Sequence, residues 1–131
     1  MAAKSSKGHR PTEAELEILT VLWSSGAATV RAVHEVLSRR KPVQYTTVLK
    51  MLQVMAEKSL VRRDEPQRAH AYSATRSAEW TQRDLVSDLL QGAFGGSIKK
   101  LLLGALSSSR ASREELAEMR RLLKNYEKDM L

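Results

Sequence analysis

The sequence predicts a mainly α-helical protein in two parts, with one small β-hairpin between them. Three observations carry that prediction. Apolar residues recur at steps of three and four along most of the chain. A polar, turn-rich stretch from Leu60 to Arg76 breaks the rhythm once, and positive charge lies almost wholly on the N-terminal side of that break. The chain of 131 residues holds 22 Lys and Arg against 15 Asp and Glu, a formal charge of +7. Residues 1–76 carry 13 basic and 7 acidic side chains, a net of +6, and residues 77–131 carry 9 and 8, a net of +1.

The first ten residues, MAAKSSKGHR, are small, polar and basic, and read as a flexible arm. A helix follows, opened by Thr12 with Glu15 three residues on, a capping box, and closed at Ser24-Ser25-Gly26. Leu16, Leu19, Leu22 and Trp23 are its expected buried stripe. A second helix runs from a Thr29 cap to about Arg39, with Val30, Val33, Val36 and Leu37 inward and Arg31 and Glu35 paired on its surface. Pro42 ends that segment, because the residue before a proline is pushed out of helical geometry. The third helix runs from Tyr45 to about Lys58. Val48, Met51, Leu52 and Met55 share one face, which leaves Thr46, Thr47, Lys50, Gln53 and Glu57 on the others. The next stretch reads as two strands around the turn-like Asp64-Glu65-Pro66-Gln67, bearing Arg62, Arg63, Arg68 and His70. Such a hairpin must lean on the helices, since an isolated one is marginal in water.

Beyond Arg76 the chain reads as three further helices. Ser77 caps one containing Trp80, Leu85, Val86, Leu89 and Leu90. Gly92 and Gly95-Gly96 interrupt it, and Ser97 caps a short apolar helix with Ile98, Leu101, Leu102, Leu103 and Leu106. Leu106 to Arg110 reads as a serine-rich connector. Ser112 and Glu115 form a second capping box before a helix with Leu116, Met119, Leu123 and Tyr126 at steps of three, four and three. Leucines on nearly every side of one short helix call for burial all round. One chain offers little to cover them, so a homodimer is expected, with Leu89, Ile98, Leu101, Leu102, Leu103, Leu106, Leu116, Met119 and Leu123 in its interface.

Three helices and then a basic hairpin are the order of a winged helix-turn-helix. The resulting reading is a winged-helix DNA-binding domain at 11–76 and a helical dimerisation domain at 77–131, after the arm at 1–10. Gln44, Tyr45, Thr46, Thr47, Lys50 and Gln53 would meet duplex DNA from the third helix. Lys50 suits a phosphate or guanine, Gln53 adenine, and the threonine methyls thymine. Arg62, Arg63, Arg68 and His70 would meet flanking phosphates from the wing. A two-fold protein matches a palindromic operator. The same basic face would also suit an acidic protein surface, so an interaction module stays open, as does a ligand-sensing regulator with a pocket near Trp80.

Other chemistries lack residues. There is no cysteine, which excludes disulfides, thiolate metal sites and cysteine nucleophiles. His9, His34 and His70 have no ligand spacing, and no glycine-rich phosphate loop occurs. No enzyme, cofactor or metal is therefore expected. Neither a signal peptide nor an apolar run of membrane-spanning length is apparent, so the reading is a cytoplasmic protein without membrane insertion.

PTEAELEILTVLW from Pro11, YTTVLKMLQVMAEKSLVRR from Tyr45 and RAHAYSA from Arg68 resemble the penicillinase-repressor family of winged-helix repressors. FGGSIKKLLLGAL and SREELAEMRRLL extend the resemblance to Leu123. It implies a dimeric repressor on a short palindrome, its C-terminal helices intertwined. In the antibiotic-responsive branch it also implies induction by a membrane-bound sensor metalloprotease, with cleavage inside the dimerisation helices. That branch is cut at an Asn-Phe pair, and the matching position here is Gly104-Ala105. The cysteine cluster of the copper-responsive branch is absent.

Overall fold

The computed structural model describes residues 10–64 and 70–131. Arg68, all but the last residue of the N-terminal arm, and most of the expected wing turn lie outside the described residues. Two units are distinguished, Met1–Val86 and Ser87–Leu131.

In the first unit the order is α1 (Glu13–Ser25), β1 (Ala28–Thr29), α2 (Val30–Arg40), α3 (Tyr45–Glu57), β2 (Val61–Asp64) and β3 (Ala71–Ala74). This is a winged helix-turn-helix. Its α1 opens on the expected capping box: the Glu15 N–H donates to Thr12 Oγ1 at 3.1 Å, and the Thr12 N–H to Glu15 Oε1 at 2.9 Å. Gly26, at φ 80°, ends α1 in a conformation that suits glycine. Thr29 caps α2 through the Ala32 N–H at 3.1 Å.

The core differs from the expected stripe in detail. Ile18, Leu19 and Leu22 of α1 are buried against Val30 and Val33 of α2 and Val48, Leu52 and Met55 of α3, closed by Val61 and Tyr72 of the sheet. Leu16 and Trp23 are only half-buried, and the Trp23 indole N–H donates to the Arg76 carbonyl at 2.9 Å. Glu15 takes a place in the stripe instead. Its carboxylate is buried and meets Lys58 Nζ at 2.8 Å, joining the start of α1 to the end of α3. Burial pushes this carboxyl up, but hydrogen bonds from Lys58 and from Thr12, with the charge of Lys58, hold it below its ordinary value.

The wing is more than the expected hairpin. It forms a three-stranded antiparallel sheet in the order β1-β3-β2. Ala28 pairs with Tyr72 and Thr29 with Ala71, while Val61 pairs with Ala74 and Arg63 with Tyr72. The two-residue β1 carries too little pattern to read as a strand; β3 recruits it by offering its free edge. Between α3 and β2, Ser59 adopts φ 65°, a left-handed conformation costly for a residue with a Cβ. Thr75 Oγ1 bonds the Ser59 carbonyl at 2.6 Å and so holds that turn from β3's end.

From Ser77 onward α4 (Ala78–Gly92), α5 (Ile98–Ser108) and α6 (Arg113–Met130) follow. The expected caps are present: Ser77, Ser97 and Ser112 each accept from the N–H three residues on, at 3.0, 3.1 and 3.0 Å. Trp80 is 38% exposed, and the Arg76 guanidinium stacks over its ring, 4.3 Å from the centroid. The serine-rich connector is shorter than expected, because α5 continues through Ser108. Ser107 Oγ donates back to the Leu103 carbonyl at 2.6 Å, satisfying its hydroxyl inside the helix. No residue of α5 or α6 is buried within the chain.

Two outcomes are expected. Glu15→Gln should destabilise the first unit by about 1–3 kcal/mol at neutral pH, the range for removing a charged hydrogen-bond partner. Because the folded carboxyl is lowered, its contribution is complete above the ordinary value of 4.5 and is lost as pH falls from there through the folded value. Urea denaturation from pH 3 to 7 should therefore show a gap between wild type and variant that closes on acidification. Ser59→Gly should raise stability by about 0.5–1 kcal/mol by relieving the left-handed strain, read as a higher urea midpoint.

Candidate nucleic-acid interface

The interface is built on the outward face of α3. Val48, Leu52 and Met55 are 0% exposed, which fixes the rotation of the helix about its axis. The opposite positions are then committed to solvent: Gln44, Tyr45, Thr46, Thr47, Lys50 and Gln53 are all exposed. Thr47, Lys50 and Gln53 succeed one another at steps of three, so they form one row along the helix. Such a row offers hydroxyl, ammonium and carboxamide groups with a protruding reach of several ångströms, the chemistry that base edges and phosphates bind.

Gln44 stands at the N-cap of α3 and makes no side-chain capping bond. Tyr45 is 45% exposed, and its ring meets the His34 ring edge-on, with centroids 5.7 Å apart. His34 entered the sequence reading only as a histidine without ligand spacing. It is half-buried, and its Nε2 lies 2.7 Å from the Val43 carbonyl oxygen in the turn before α3.

The structure divides the wing residues between two faces. Val61 is buried, and strand alternation puts Arg63 on its side and Arg62 on the other. Arg63 Nη2 lies 2.8 Å from Nε2 and 3.1 Å from Nδ1 of His70, so these two expected site residues are brought together. Arg62 instead approaches Asp64, Nε to Oδ1, at 3.9 Å. Both arginines are exposed.

Sequence reasoning passed over Arg39, Arg40 and Lys41, which it took only as the end of α2. All three are exposed where α2 gives way to the turn before α3. The signal was their position, since a basic run beside the exposed polar row of α3 adds positive potential there. Lys58 drops out of the available charge, held by Glu15, and the Arg76 guanidinium keeps its charge while stacked on the Trp80 ring. Among the described residues no group of three or more potential ligands could hold a metal ion, and no helix is long and apolar enough to cross a membrane.

Comparison with known proteins bears on the family and the fold. The family model described as "Penicillinase repressor" matches residues 11–125. Transcriptional regulator BlaI of Mycobacterium tuberculosis is 35% identical over 115 residues, which cover 86% of this chain and 82% of that protein. The Penicillinase repressor of Staphylococcus aureus is 18% identical over 115 residues, covering 88% of this chain and 91% of that protein. The YusO protein from Bacillus subtilis shares the fold, with a TM-score of 0.52 at 18% identity over 95% of this chain and 80% of that one. A winged helix with a solvent-facing polar row on its third helix, matched over nearly its whole length, places this chain in the penicillinase repressor family: it is a DNA-binding transcriptional repressor and not an enzyme.

Proposed function

We propose that the protein acts in the cytoplasm as a homodimer, repressing transcription from a palindromic double-stranded operator. The observation that carries this reading is the split of α3 into a fully buried apolar face and a fully exposed polar one. Thr46, Thr47, Lys50 and Gln53 read base edges in the major groove, with Gln44 and Tyr45 at the entry. Arg62, Arg63, Arg68 and His70 position the wing on flanking phosphates. Residues 11–76 are the DNA-binding domain and residues 77–131 the dimerisation domain.

Exposed leucines support the dimer. Leu89, Ile98, Leu102, Leu103, Leu106 and Leu123 are between 39% and 69% exposed, and Leu101, Leu116 and Met119 are half-buried. An apolar surface of that extent is what a second copy would cover. Release by proteolysis follows from the same arrangement. A cut at Gly104-Ala105, within α5, would separate α6 from the DNA-binding domain. Gly104 weakens the helix there by about 1 kcal/mol relative to alanine, easing the unwinding that a protease such as a membrane-bound sensor metalloprotease requires. Losing the dimer removes the avidity of two linked half-sites without touching a base contact.

Selection from a randomised duplex pool tests this function. Enrichment of one palindrome with half-sites about one helical turn apart is the expected result. Binding without enrichment, fading uniformly as salt rises, would instead favour non-specific charge attraction and an interaction module. On the selected duplex, Lys50→Ala should weaken binding by about 1–3 kcal/mol in a fluorescence titration. Leu103→Asp should yield monomers by sedimentation and lower operator affinity about 100-fold or more while sparing the winged domain's circular dichroism.

A further inference from the structure

We propose that His34 is a positioning residue that sets the aim of the base-reading helix. The inference rests on the reading of α3 as that helix. It starts from a deficiency: Gln44, the N-cap of α3, makes no side-chain capping bond, whereas Thr12, Thr29, Ser97 and Ser112 cap their helices. The backbone alone starts the helix, through the Thr47 and Val48 N–H groups donating to the Gln44 carbonyl at 3.1 and 3.2 Å. The residues that would meet bases first are therefore on the turn least fixed by its own sequence.

His34 supplies that fixation from α2. Its Nε2 lies 2.7 Å from the Val43 oxygen, and since a carbonyl only accepts, Nε2 carries the proton. The bond ties α2 to the residue immediately before Gln44. The same ring meets Tyr45 edge-on, at an interplanar angle of 74°, on the other side of the N-cap. One side chain thus holds both residues that flank the start of α3. Beyond the first turn, which Val48 closes against the core, the helix is held separately, by Leu52 and Met55 in the core and by Lys58 on Glu15. Loss of His34 frees the first turn while the rest of the helix stays in place. Binding through phosphates tolerates that freedom, but hydrogen bonding to base edges does not. His34 therefore acts on sequence discrimination more than on affinity for DNA in general.

The test runs the duplex-pool selection in parallel with full-length wild type, His34→Ala and His34→Gln. Each protein is then titrated with the wild-type winner and with an unrelated duplex of equal length. His34→Ala should lower the ratio of the two affinities about 10- to 100-fold, the value of one or two well-aimed base contacts. Affinity for the unrelated duplex, and its salt dependence, should be unchanged. His34→Gln, which returns an N–H near the Nε2 position, should recover part of the ratio. Amide exchange at Tyr45 to Val48 should quicken in the alanine variant, with Val61 to Asp64 unaffected. An unchanged ratio, or an equal loss on both duplexes, overturns the proposal. If wild type enriches nothing, the operator reading fails instead, and unchanged exchange in His34→Ala would separately remove the positioning role.

Discussion

The exposed polar row of α3 depends on three side chains that face away from it. Val48, Leu52 and Met55 leave no surface to solvent, and their burial fixes α3 in rotation. Turning the helix by one residue, about 100°, would bring Gln53 or Thr47 into that space, an unpaired polar group that costs roughly 2–7 kcal/mol to bury. The exposure of Thr46, Thr47, Lys50 and Gln53 is thus a consequence of core packing rather than an independent feature. The exposed row inherits its alignment from the apolar contacts beneath it.

A small core leaves each end of that helix in need of further attachment. At the C-terminal end Lys58 reaches the buried Glu15, the one carboxylate in the α1 stripe. Breaking this half-buried pair would strand the Glu15 carboxylate, whose side chain is 7% exposed. At the sheet, β1 and β2 flank β3 on both sides, so the wing is tied to the linker between α1 and α2 as well as to α3. Thr75 adds a third tie across the Ser59 turn. These attachments enclose the core from all sides with few residues.

Much of this was legible in the sequence, and the parts that were not share a cause. Helix starts were readable because a Ser or Thr cap and the N–H it accepts from are three residues apart, as at Thr12, Thr29, Ser77, Ser97 and Ser112. The outward residues of α3 followed from its periodicity, and the family resemblance was carried by the same segment. Glu15 was recognised as a capping partner, but its second bond to Lys58, 43 residues away, has no local signature. The β1 strand is only two residues long, below any period. His34 showed no partner in the sequence because Val43 and Tyr45 lie beyond the proline-containing turn. Trp23 counted as an apolar stripe residue, although its indole N–H is satisfied by Arg76, 53 residues on. Local rules found local features; the ties between distant segments needed the fold.

The wing's order β1-β3-β2 leaves β2 as an open edge, and that edge is four residues long with arginine at both central positions. An unpaired strand edge invites pairing with another chain, and short length with fixed charge is the usual protection. Arg62 and Arg63 therefore guard the fold against self-association through the sheet, whatever they contact on DNA. Selection for a more neutral wing would strip that protection. The charge of the wing and the solubility of its edge are coupled through the same two side chains, which limits how far either could drift alone.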